Sequence, residues 1–438
     1  MAVMKNDMRR EGYIVEEIIE SDNMEDSFNQ VLRGTKRKRS RQGRYLIAHK
    51  EEVLEELTGQ IALGSFRVKD YHEREIMEGG KLRRIQILSM KDRIAVHAIM
   101  AVVDRHIRKR FIRTTSASIK ERGMHDLLDY IRRDMSEDPE GTRYCYKFDI
   151  TKFYESIKQD FVMYCVNRVF KDKKLIAMLD NFVRLMPDGL SIGLRSSQGL
   201  GNLLLSVFLD HYLKDRYAVR HFYRYCDDGV VLGKTKAELW KIRDAVHGQM
   251  EQIGLKVKAN ERVFPVDEGI DFLGYVIRPD YVRLRKRIKQ KFARRVHEVK
   301  SRKRRRELIA SFYGMAKHAD CYTLFKKLTG KDMKSFKDLN IPTFKDEEGK
   351  KRLKGKQVSI KVLVNIPVIV KDFERDVKTK NGPKHLVLVE DKGEFKKYFT
   401  GDQEMKFQLE QAEKLGEIPF ETTIVYDESS GFGHYIFT

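Results

Sequence analysis

The spacing of apolar positions changes several times along the chain, and each spacing predicts a type of secondary structure. Between residues 45 and 130 apolar residues recur at helical intervals, interrupted by an extended stretch at residues 67–88. Strand-like and helical segments then alternate over residues 143–277, and a helical, basic segment follows at residues 281–306. This order predicts an α+β fold in which helices back an antiparallel sheet.

Individual elements can be placed within this mixed part. The elements that we expect are strands at residues 143–150 and 255–259, a strand–turn–strand at residues 222–232, and helices from about residue 158, at residues 199–219 and at residues 237–253.

The pattern changes after about residue 339. Strand-like segments dominate residues 339–438, and one helix at residues 402–415 precedes the last two strands. Five strands with a helix before the fourth is the order of a small OB-like β-barrel. We expect a separate domain that recruits or positions the RNA or an accessory protein. Stacking of aromatic residues on a nucleic-acid strand, protein docking and an RNA contact at the basic edge 350–356 all stay open as its mode of binding. The aromatic candidates are Phe373, Tyr398, Phe399 and Tyr426.

Charge separates the same two parts of the chain. The 438 residues carry a formal net charge of +22, yet residues 340–438 hold 17 Lys+Arg and 17 Asp+Glu. The whole excess therefore lies in the first 339 residues, which indicates a polyanionic partner such as nucleic acid. Residues 283–306, with fourteen Lys/Arg and one acid, are expected to follow a nucleic-acid duplex.

The N-terminal residues 1–44 are polar and end in the basic run GTKRKRSRQGR. We expect a solvated basic arm here, with a nucleic-acid contact as the alternative. The start of the chain lacks the apolar core of a signal peptide, and no apolar run reaches the ~18–20 residues of a membrane span. The four cysteines lack zinc-binding spacing, which is typical of free thiols in a reducing compartment. These features predict a cytoplasmic protein without a membrane partner.

Acidic residues follow two apolar strands about eighty positions apart. Asp149 ends the segment YCYKFD, and Asp227 and Asp228 occupy the turn of YRYCDDGVVLG. Such acids are costly in an apolar hairpin unless a cation neutralises them, although a solvated turn is the alternative. Nucleotide transfer to a growing strand uses two divalent ions ~3.5–4 Å apart, held by carboxylate oxygens. The three aspartates are therefore the candidate catalytic residues and metal ligands, for two Mg²⁺ ions or Mn²⁺ in their place.

The surroundings of these aspartates resemble reverse transcriptases, in motif order and in spacing, from about residue 45 to residue 328. The resemblance implies a right-hand polymerase with fingers at residues 45–142, a palm at 143–280 and a helical thumb at 281–338. The motifs that carry the resemblance are DITKFYESI (149–157), similar to the first palm motif; YCDD (225–228), similar to the YxDD box; GLKVK (254–258) and FLGYVI (272–277), similar to later palm and primer-grip motifs; and KLRRIQILSMKDRIAVHAI (81–99), similar to the fingers of bacterial retroelement enzymes.

The resemblance also implies roles for single residues. Asp149 and Asp227 would bridge the metal ions, Asp228 would be a less directly bound acid, and Ile150 would lend its backbone carbonyl. Tyr154 would exclude a ribose 2′-hydroxyl and so favour dNTPs. Further residues expected to bind the dNTP are Lys81, Arg83, Arg84, Gln198 and Lys258, the last as a proton donor to pyrophosphate. Among the finger residues Arg83 is favoured because a guanidinium fork suits phosphate, with a solvated charge as the alternative.

One loop narrows the resemblance further. IGLRSSQ, at residues 192–198, has the IGxxxSQ form of reverse transcriptases from diversity-generating retroelements, where other relatives have Gln-Gly at the start. Those enzymes copy a template-repeat RNA with frequent errors at adenines. Ile192 cannot hydrogen-bond near the nascent pair as Gln could, which predicts weaker discrimination. Gly193, Arg195 and Ser197 complete this template and fidelity loop; the alternative is a plain turn into a helix capped by Ser197.

The implied partners are a template RNA, the nascent cDNA and dNTPs, together with a structured noncoding or template-repeat RNA and a small accessory protein. Two alternatives stay open: a phage-defence or unassigned bacterial reverse transcriptase that copies its own noncoding RNA, and a non-catalytic RNA-binding protein. The basic residues expected on nucleic acid are Arg285, Lys286, Arg287, Arg294, Arg295, Arg302, Arg304 and Arg305.

Overall fold

The computed structural model describes residues 10–78, 80–330, 353, 355–379, 382–391, 393–427 and 433–438, without the side chains of Glu78 and Lys81. The chain forms two compact units, residues 1–333 and residues 334–438. Both units combine helices with strands, and both contain parallel as well as antiparallel strand pairs, so the α+β class is confirmed. No helix in the described ranges has the length and apolar character that crossing a membrane requires.

The N-terminal segment is helical, so the expectation of an arm is wrong for residues 10–33, whereas the basic run at residues 34–44 is mostly exposed, as expected. Ile14, Ile18, Met24, Phe28 and Val31 are buried because they recur three to seven positions apart on one side of two helices. The opposite sides of these helices are exposed, and so are the basic side chains of residues 36–39 that follow. In the described part of the chain, the first helices are α1 (Ile14–Ile18), α2 (Ser21–Val31), α3 (Thr35–Arg39), α4 (Arg41–Ala48), α5 (Lys50–Ala62) and α6 (Met90–Arg108).

The extended stretch predicted at residues 67–88 is a two-stranded hairpin. Its strands β1 (His72–Glu78) and β2 (Lys81–Ile87) pair antiparallel, with His72 opposite Ile87. The hairpin lies between α5 and α6 in the chain.

A five-stranded sheet forms the centre of the first unit, in the order β3-β5-β6-β4-β7. Both faces are packed: Phe148, Phe222 and Val231 belong to one apolar cluster, and Tyr223 and Val230 belong to another. The strands are β3 (Thr115–Ser116), β4 (Tyr144–Asp149), β5 (His221–Tyr225), β6 (Asp228–Gly233) and β7 (Arg262–Pro265). The helices are α7 (Met124–Glu137), α8 (Phe153–Ser156), α9 (Gln159–Val169), α10 (Lys173–Val183), α11 (Arg195–Leu205) and α12 (Lys236–Gln252).

Three local predictions in this region need correction. The strand expected at residues 255–259 is a single bridge between Ile150 and Val257, and the regular strand is β7. The helix expected at residues 199–219 begins at Arg195 and continues past Leu205 as two π-helical turns, Ser206–Asp210 and Tyr212–Arg216. Ser197 does not cap it, since the N-cap residue is Leu194 and the Ser197 side chain is buried inside the first turn.

The segment expected to be helical at residues 281–306 starts as a strand. A three-stranded sheet of β8 (Ile270–Phe272), β9 (Tyr275–Ile277) and β10 (Val282–Leu284) precedes α13 (Lys286–Glu298), α14 (Arg302–Ala316) and α15 (Tyr322–Thr329). Phe292 of α13 stacks on Phe312 of α14, with ring centroids 3.8 Å apart. The aromatic contact orients the two helices so that most of their Lys and Arg side chains face solvent.

The second unit contains a six-stranded sheet in the order β11-β14-β13-β12-β15-β16. The helix predicted before the last two strands is present, but the OB-like barrel is not confirmed, because β11 and β16 are the open edges of the described sheet. Phe373 and Tyr398 are core residues and cannot act as stacking platforms. Phe399 is half-buried, Tyr426 is exposed, and most of the basic edge 350–356 lies outside the described residues. The elements are β11 (Lys356–Gln357), β12 (Pro367–Thr379), β13 (Gly382–Asp391), β14 (Glu394–Thr400), α16 (Gln403–Leu415), β15 (Phe420–Asp427) and β16 (His434–Phe437).

Candidate active site

The pairing of β4 with β6 brings two of the predicted acids together. Asp149, the last residue of β4, is the direct register partner of Asp228, the first residue of β6, so both side chains lie on one face of the sheet. One step inward, Phe148 pairs with Gly229, where an added Cβ would lie 2.2 Å from the Phe148 ring. Glycine at 229 is therefore required for the strand approach that places the two carboxylates side by side.

The third acid, Asp227, lies in the turn between β5 and β6. Cys226, which precedes it, has a left-handed backbone with φ of 56°, uncommon for a residue with a side chain. Its amide donates to the Ser116 carbonyl (3.4 Å), its carbonyl accepts from Arg224 (2.7 Å), and its thiol is 3.2 Å from the Tyr154 hydroxyl. These three contacts hold the turn in a conformation that a free chain would seldom adopt.

Burial and mutual repulsion act on the titration of these acids. Desolvation, followed by the charge of Asp149, raises the pKa of Asp227 above its ordinary range. The same causes, with Asp227 added, raise the pKa of Asp228 to about 6. Since Asp149 lies close enough to raise the pKa of both Asp227 and Asp228, the three carboxylates form a site of concentrated negative potential.

Lys258 partly compensates this charge. The segment around it lies beside the end of β4, since the Lys258 amide donates to the Asp149 carbonyl at 2.8 Å and Thr151 donates to Lys256 at 2.8 Å. This placement lets the Lys258 ammonium form an ion pair with Asp149 Oδ2. Ile150, expected to offer a backbone carbonyl, is fully buried next to the same segment.

The three aspartates fit a divalent cation by their chemistry. Asp149 Oδ1 is buried and has no hydrogen-bond partner in the described part of the chain, and burial together with the charge of Asp149 raises the pKa of Asp227 and Asp228. No three His, Cys, Asp or Glu side chains among the described residues have the spacing of a preformed metal centre. The carboxylates therefore form an acidic cluster whose oxygen ligands suit a divalent cation, with Lys258 as the counter-ion of Asp149.

Tyr154 connects the carboxylates to the loop that precedes α11. Its backbone carbonyl accepts from Leu190 at 2.7 Å, while its ring packs against Phe153, with centroids 5.1 Å apart. A Cβ on Gly189 would lie 2.6 Å from the Tyr154 carbonyl, and Gly189 has a positive φ of 69°. The loop can pass this close to α8 only with glycine at 189.

The far end of this loop contacts the hairpin. Ser191 Oγ donates to Gln86 Oε1 at 2.9 Å, and a Cβ on Gly193 would lie 2.0 Å from the Gln86 carbonyl. Gln86 is buried and also donates to Glu73 at 3.2 Å. Gln86 was not among the expected site residues. The sequence feature that could have identified it is its place as a single polar residue between two apolar residues of β2.

The expected fidelity-loop residues fall into two groups. The Ile192 side chain is half-buried, while Gly193 and Gln198 are exposed. Arg195 instead turns to α6, where it pairs with Asp104 at 3.1 Å and donates to the His97 carbonyl at 3.4 Å. Arg195 therefore attaches the loop to α6, and the Ser197 side chain is buried. The motif alone indicated neither feature.

The finger residues lie on β2. Arg83 and Arg84 are both exposed and point to opposite faces of the strand, and Arg84 pairs with Glu75 at 3.2 Å. Arg84 shares its face with Gln86, the residue that contacts the loop. The Lys81 side chain lies outside the described residues.

Seven of the eight predicted nucleic-acid residues are exposed on α13 and α14, and two of the eight form ion pairs. Arg285 pairs with Asp271, and Arg304 pairs with Glu307 at 2.7 Å. The exposed members are Lys286, Arg287, Arg294, Arg295, Arg302, Arg304 and Arg305.

A large part of the chain matches a known protein family. Residues 75–277 match the family described as Reverse transcriptase (RNA-dependent DNA polymerase). This match supports the expectation of an RNA-directed DNA polymerase for the part of the chain that contains the three aspartates. Residues 354–438 match a second family, described as Domain of unknown function (DUF8468). A comparison with curated proteins found no match.

Similar solved structures include two telomerases. The apo telomerase from Candida tropicalis is 14% identical with a TM-score of 0.44, over 60% of this chain and 56% of that chain. The telomerase from Candida albicans in complex with the TWJ fragment of telomeric RNA is 12% identical with a TM-score of 0.39, over 65% and 62%. The chain thus spans less than two thirds of the length of either telomerase.

Proposed function

We propose that the protein copies an RNA template into cDNA and that Asp149, Asp227 and Asp228 bind the metal ions of this reaction. The observation that carries the proposal is the register pairing of Asp149 with Asp228, with Asp227 adjacent in the turn. When bound, two Mg²⁺ ions (or Mn²⁺) would activate the primer 3′-hydroxyl and neutralise the triphosphate. Lys258 is the proposed proton donor to the leaving pyrophosphate, and Ile150 the proposed backbone ligand.

The proposed substrate is a deoxynucleotide. The Tyr154 ring, backed by Phe153 and tied to Cys226, has a fixed position from which it would exclude a 2′-hydroxyl. Proposed triphosphate contacts are Lys81, Arg83 and Arg84, with Gln198 at the start of α11 as a further dNTP contact. The exposure of Arg83, Arg84 and Gln198 is consistent with this role.

The domain assignment that we propose follows the polymerase pattern. Residues 45–142 would be the fingers, 143–280 the palm and 281–338 the thumb, preceded by the helical N-terminal segment. The exposed basic side chains of α13 and α14 would contact phosphates of the template–primer duplex, independent of sequence. The unit at residues 339–438 would recruit the RNA partner or an accessory protein, which crosslinking of the intact protein to its RNA would test.

The biological role that we propose is sequence diversification, through cDNA synthesis that is error-prone at adenines. The support is the IGLRSSQ loop, whose Ile192 offers no hydrogen bond where relatives carry Gln. Sequencing the cDNA made from the native RNA, with any accessory protein present, tests this role. Errors concentrated opposite template adenines would support diversification. Uniformly accurate copying of a noncoding RNA would support the phage-defence alternative.

A further inference from the structure

Arg224 has the largest fully buried side chain among the described residues. It lies on β5, three residues before Asp227, and alternation along the strand puts it on the face of Phe222, opposite to Tyr223. This face packs against α11 and the π-helical turns, away from the face that carries Asp149 and Asp228. A charged group so deep in the protein requires partners for every polar hydrogen.

The guanidinium of Arg224 has those partners. Its Nε and Nη2 donate to the two carboxylate oxygens of Asp210, each at 2.7 Å. Its Nη1 donates to Asn202 Oδ1 at 2.9 Å and to the Cys226 carbonyl at 2.7 Å, while Nη2 also reaches the Asn202 carbonyl at 3.4 Å. All five N–H groups of the side chain are thereby used.

The partners of Arg224 are themselves anchored. Asp210, fully buried at the end of the first π-helical turn, also accepts from Thr115 Oγ1 at 2.8 Å. Asn202 of α11 donates to the Ala117 carbonyl at 3.0 Å. The network therefore joins β5, the segment at β3 and the helix beneath them. Single π-helical turns within a helix are frequent at functional sites.

Stability alone does not account for this network. Replacing a buried ion pair by well-packed apolar residues is often neutral or stabilising. An apolar pair, however, could not donate to the Cys226 carbonyl, which the left-handed backbone of Cys226 turns into the protein. Because the peptide group is planar, the position of that carbonyl also sets the amide and Cα of Asp227.

We propose that Arg224, oriented by Asp210, is a positioning residue that holds the Cys226–Asp227 peptide and so directs the Asp227 carboxylate. Arg224 is wholly buried and therefore touches neither substrate nor metal; it acts through the turn. The inference rests on the proposed polymerase function.

The test compares the double variant Arg224→Met/Asp210→Leu with wild type and with Tyr223→Phe. The double variant removes both charges together, so that neither is left buried alone. Tyr223→Phe is the matched control, because it loses a buried hydrogen bond (2.6 Å, to Asp134) from the same strand on the opposite face. The measurements are melting temperature, kcat and KM for dNTP in primer extension, and Mn²⁺ binding by electron paramagnetic resonance without nucleotide.

We expect the double variant to lose roughly 100-fold in kcat and to bind Mn²⁺ more weakly, with a small change in KM, since a misplacement of about 1 Å is enough for such a loss. Tyr223→Phe should melt lower yet keep kcat and Mn²⁺ binding. A folded double variant with wild-type kcat and Mn²⁺ binding would overturn the inference. Failure of the wild type to extend any primer would instead refute the proposed function, and Mn²⁺ binding would still decide the role of Arg224.

Arg224→Lys covers the case in which the double variant does not fold. It keeps a cation opposite Asp210 but lacks the planar fork that reaches Asp210, Asn202 and the Cys226 carbonyl together. We expect it to fold and to lose about tenfold in kcat together with weaker Mn²⁺ binding. Wild-type kcat and Mn²⁺ binding in this variant would equally overturn the inference.

Discussion

The hydroxyl of Tyr154 lies 3.2 Å from the thiol of Cys226, so the residue proposed to select the sugar is bonded to the turn that carries Asp227. Burial, followed by the charge of Asp227, raises the pKa of Cys226 to about 11. Burial also raises the pKa of Tyr154 well above its ordinary value. Both groups are therefore neutral near pH 7, and their hydrogen bond persists across the physiological range.

Tyr154→Ala should open the space that a ribose 2′-hydroxyl would occupy. We expect the ratio of rNTP to dNTP incorporation to rise by roughly 10–100-fold, because a steric pocket of this kind discriminates by about 1–3 kcal/mol. Competition assays with mixed nucleotides measure the ratio. Tyr154→Phe is the matched control, since it removes the bond to Cys226 but keeps the ring, and should still exclude rNTPs. An unchanged ratio in Tyr154→Ala would show that Tyr154 serves only in the core and does not select the sugar.

Asp228 should make the metal-free protein less stable at higher pH. Its pKa rises from an ordinary 3.8 to about 6 on folding, so the folded state binds more protons than the unfolded state between these values. The free energy of unfolding therefore falls as pH rises through this range, by about 1–3 kcal/mol from this group, and stays lower above it.

Asp228→Asn removes this penalty. Without metal, the variant should melt above wild type at pH 8 and close to it at pH 4, whereas the exposed Asp267→Asn should match wild type at both. Added Mg²⁺ should raise the melting temperature of wild type more than that of Asp228→Asn. Equal melting temperatures at pH 8 would show that the carboxylates do not repel one another as the structure indicates.

The sequence was most informative where one motif determines both chemistry and local structure. The proximity of Asp149 to the Asp227–Asp228 pair could be predicted, because acids at the ends of apolar strands are costly unless they share a cation. The contacts of Arg195 could not be predicted. Its position in the motif suggests a contact with the template, whereas its partner Asp104 is 91 positions away in sequence. Arg224 was missed because an arginine within a strand usually indicates an exposed edge.

The remaining discrepancies also have physical causes. The N-terminal helices were hidden by a high density of charge, although apolar residues such as Ile14 and Phe28 are spaced for burial. The order of strands and helix along the chain was predictable for the second unit. Closure into a barrel, however, depends on which edge strands pair over long distances in sequence. Local alternation carries no information on that pairing.

Ile192→Gln should make copying opposite adenine more accurate. The two neighbours of Ile192 both contact Gln86: Ser191 through a hydrogen bond, and Gly193 through close backbone packing. The substitution should therefore leave the loop in place. We expect the adenine error rate to fall more than total synthesis does, because Gln supplies a hydrogen bond that penalises wrong geometry. Sequencing of cDNA measures both quantities, with Ile192→Val as the apolar control. An unchanged adenine error rate would mean that Ile192 does not set the fidelity of the enzyme.

Neutralising Arg302, Lys303, Arg304, Arg305 and Arg306 to Gln should weaken RNA binding about equally across sequences. Each lost phosphate contact lowers the slope of log affinity against log salt by roughly one. Filter binding at several salt concentrations measures the slope, and folding should be unaffected because these side chains are exposed. Neutralisation of the equally exposed residues 36–39 is the control. A loss confined to one RNA would mean that the cluster binds a particular RNA structure.

Asp227→Asn tests the proposed two-metal site most directly. The substitution keeps the shape of the side chain and removes one charge from the site, where that charge stabilises the transition state by several kcal/mol. The measurement is dNTP incorporation on an RNA template with Mg²⁺, alongside melting temperature and RNA affinity of the same preparation. We predict that incorporation is abolished while the fold and RNA binding are retained. Sustained incorporation by Asp227→Asn would contradict the assignment of Asp227 as a metal ligand of the polymerase.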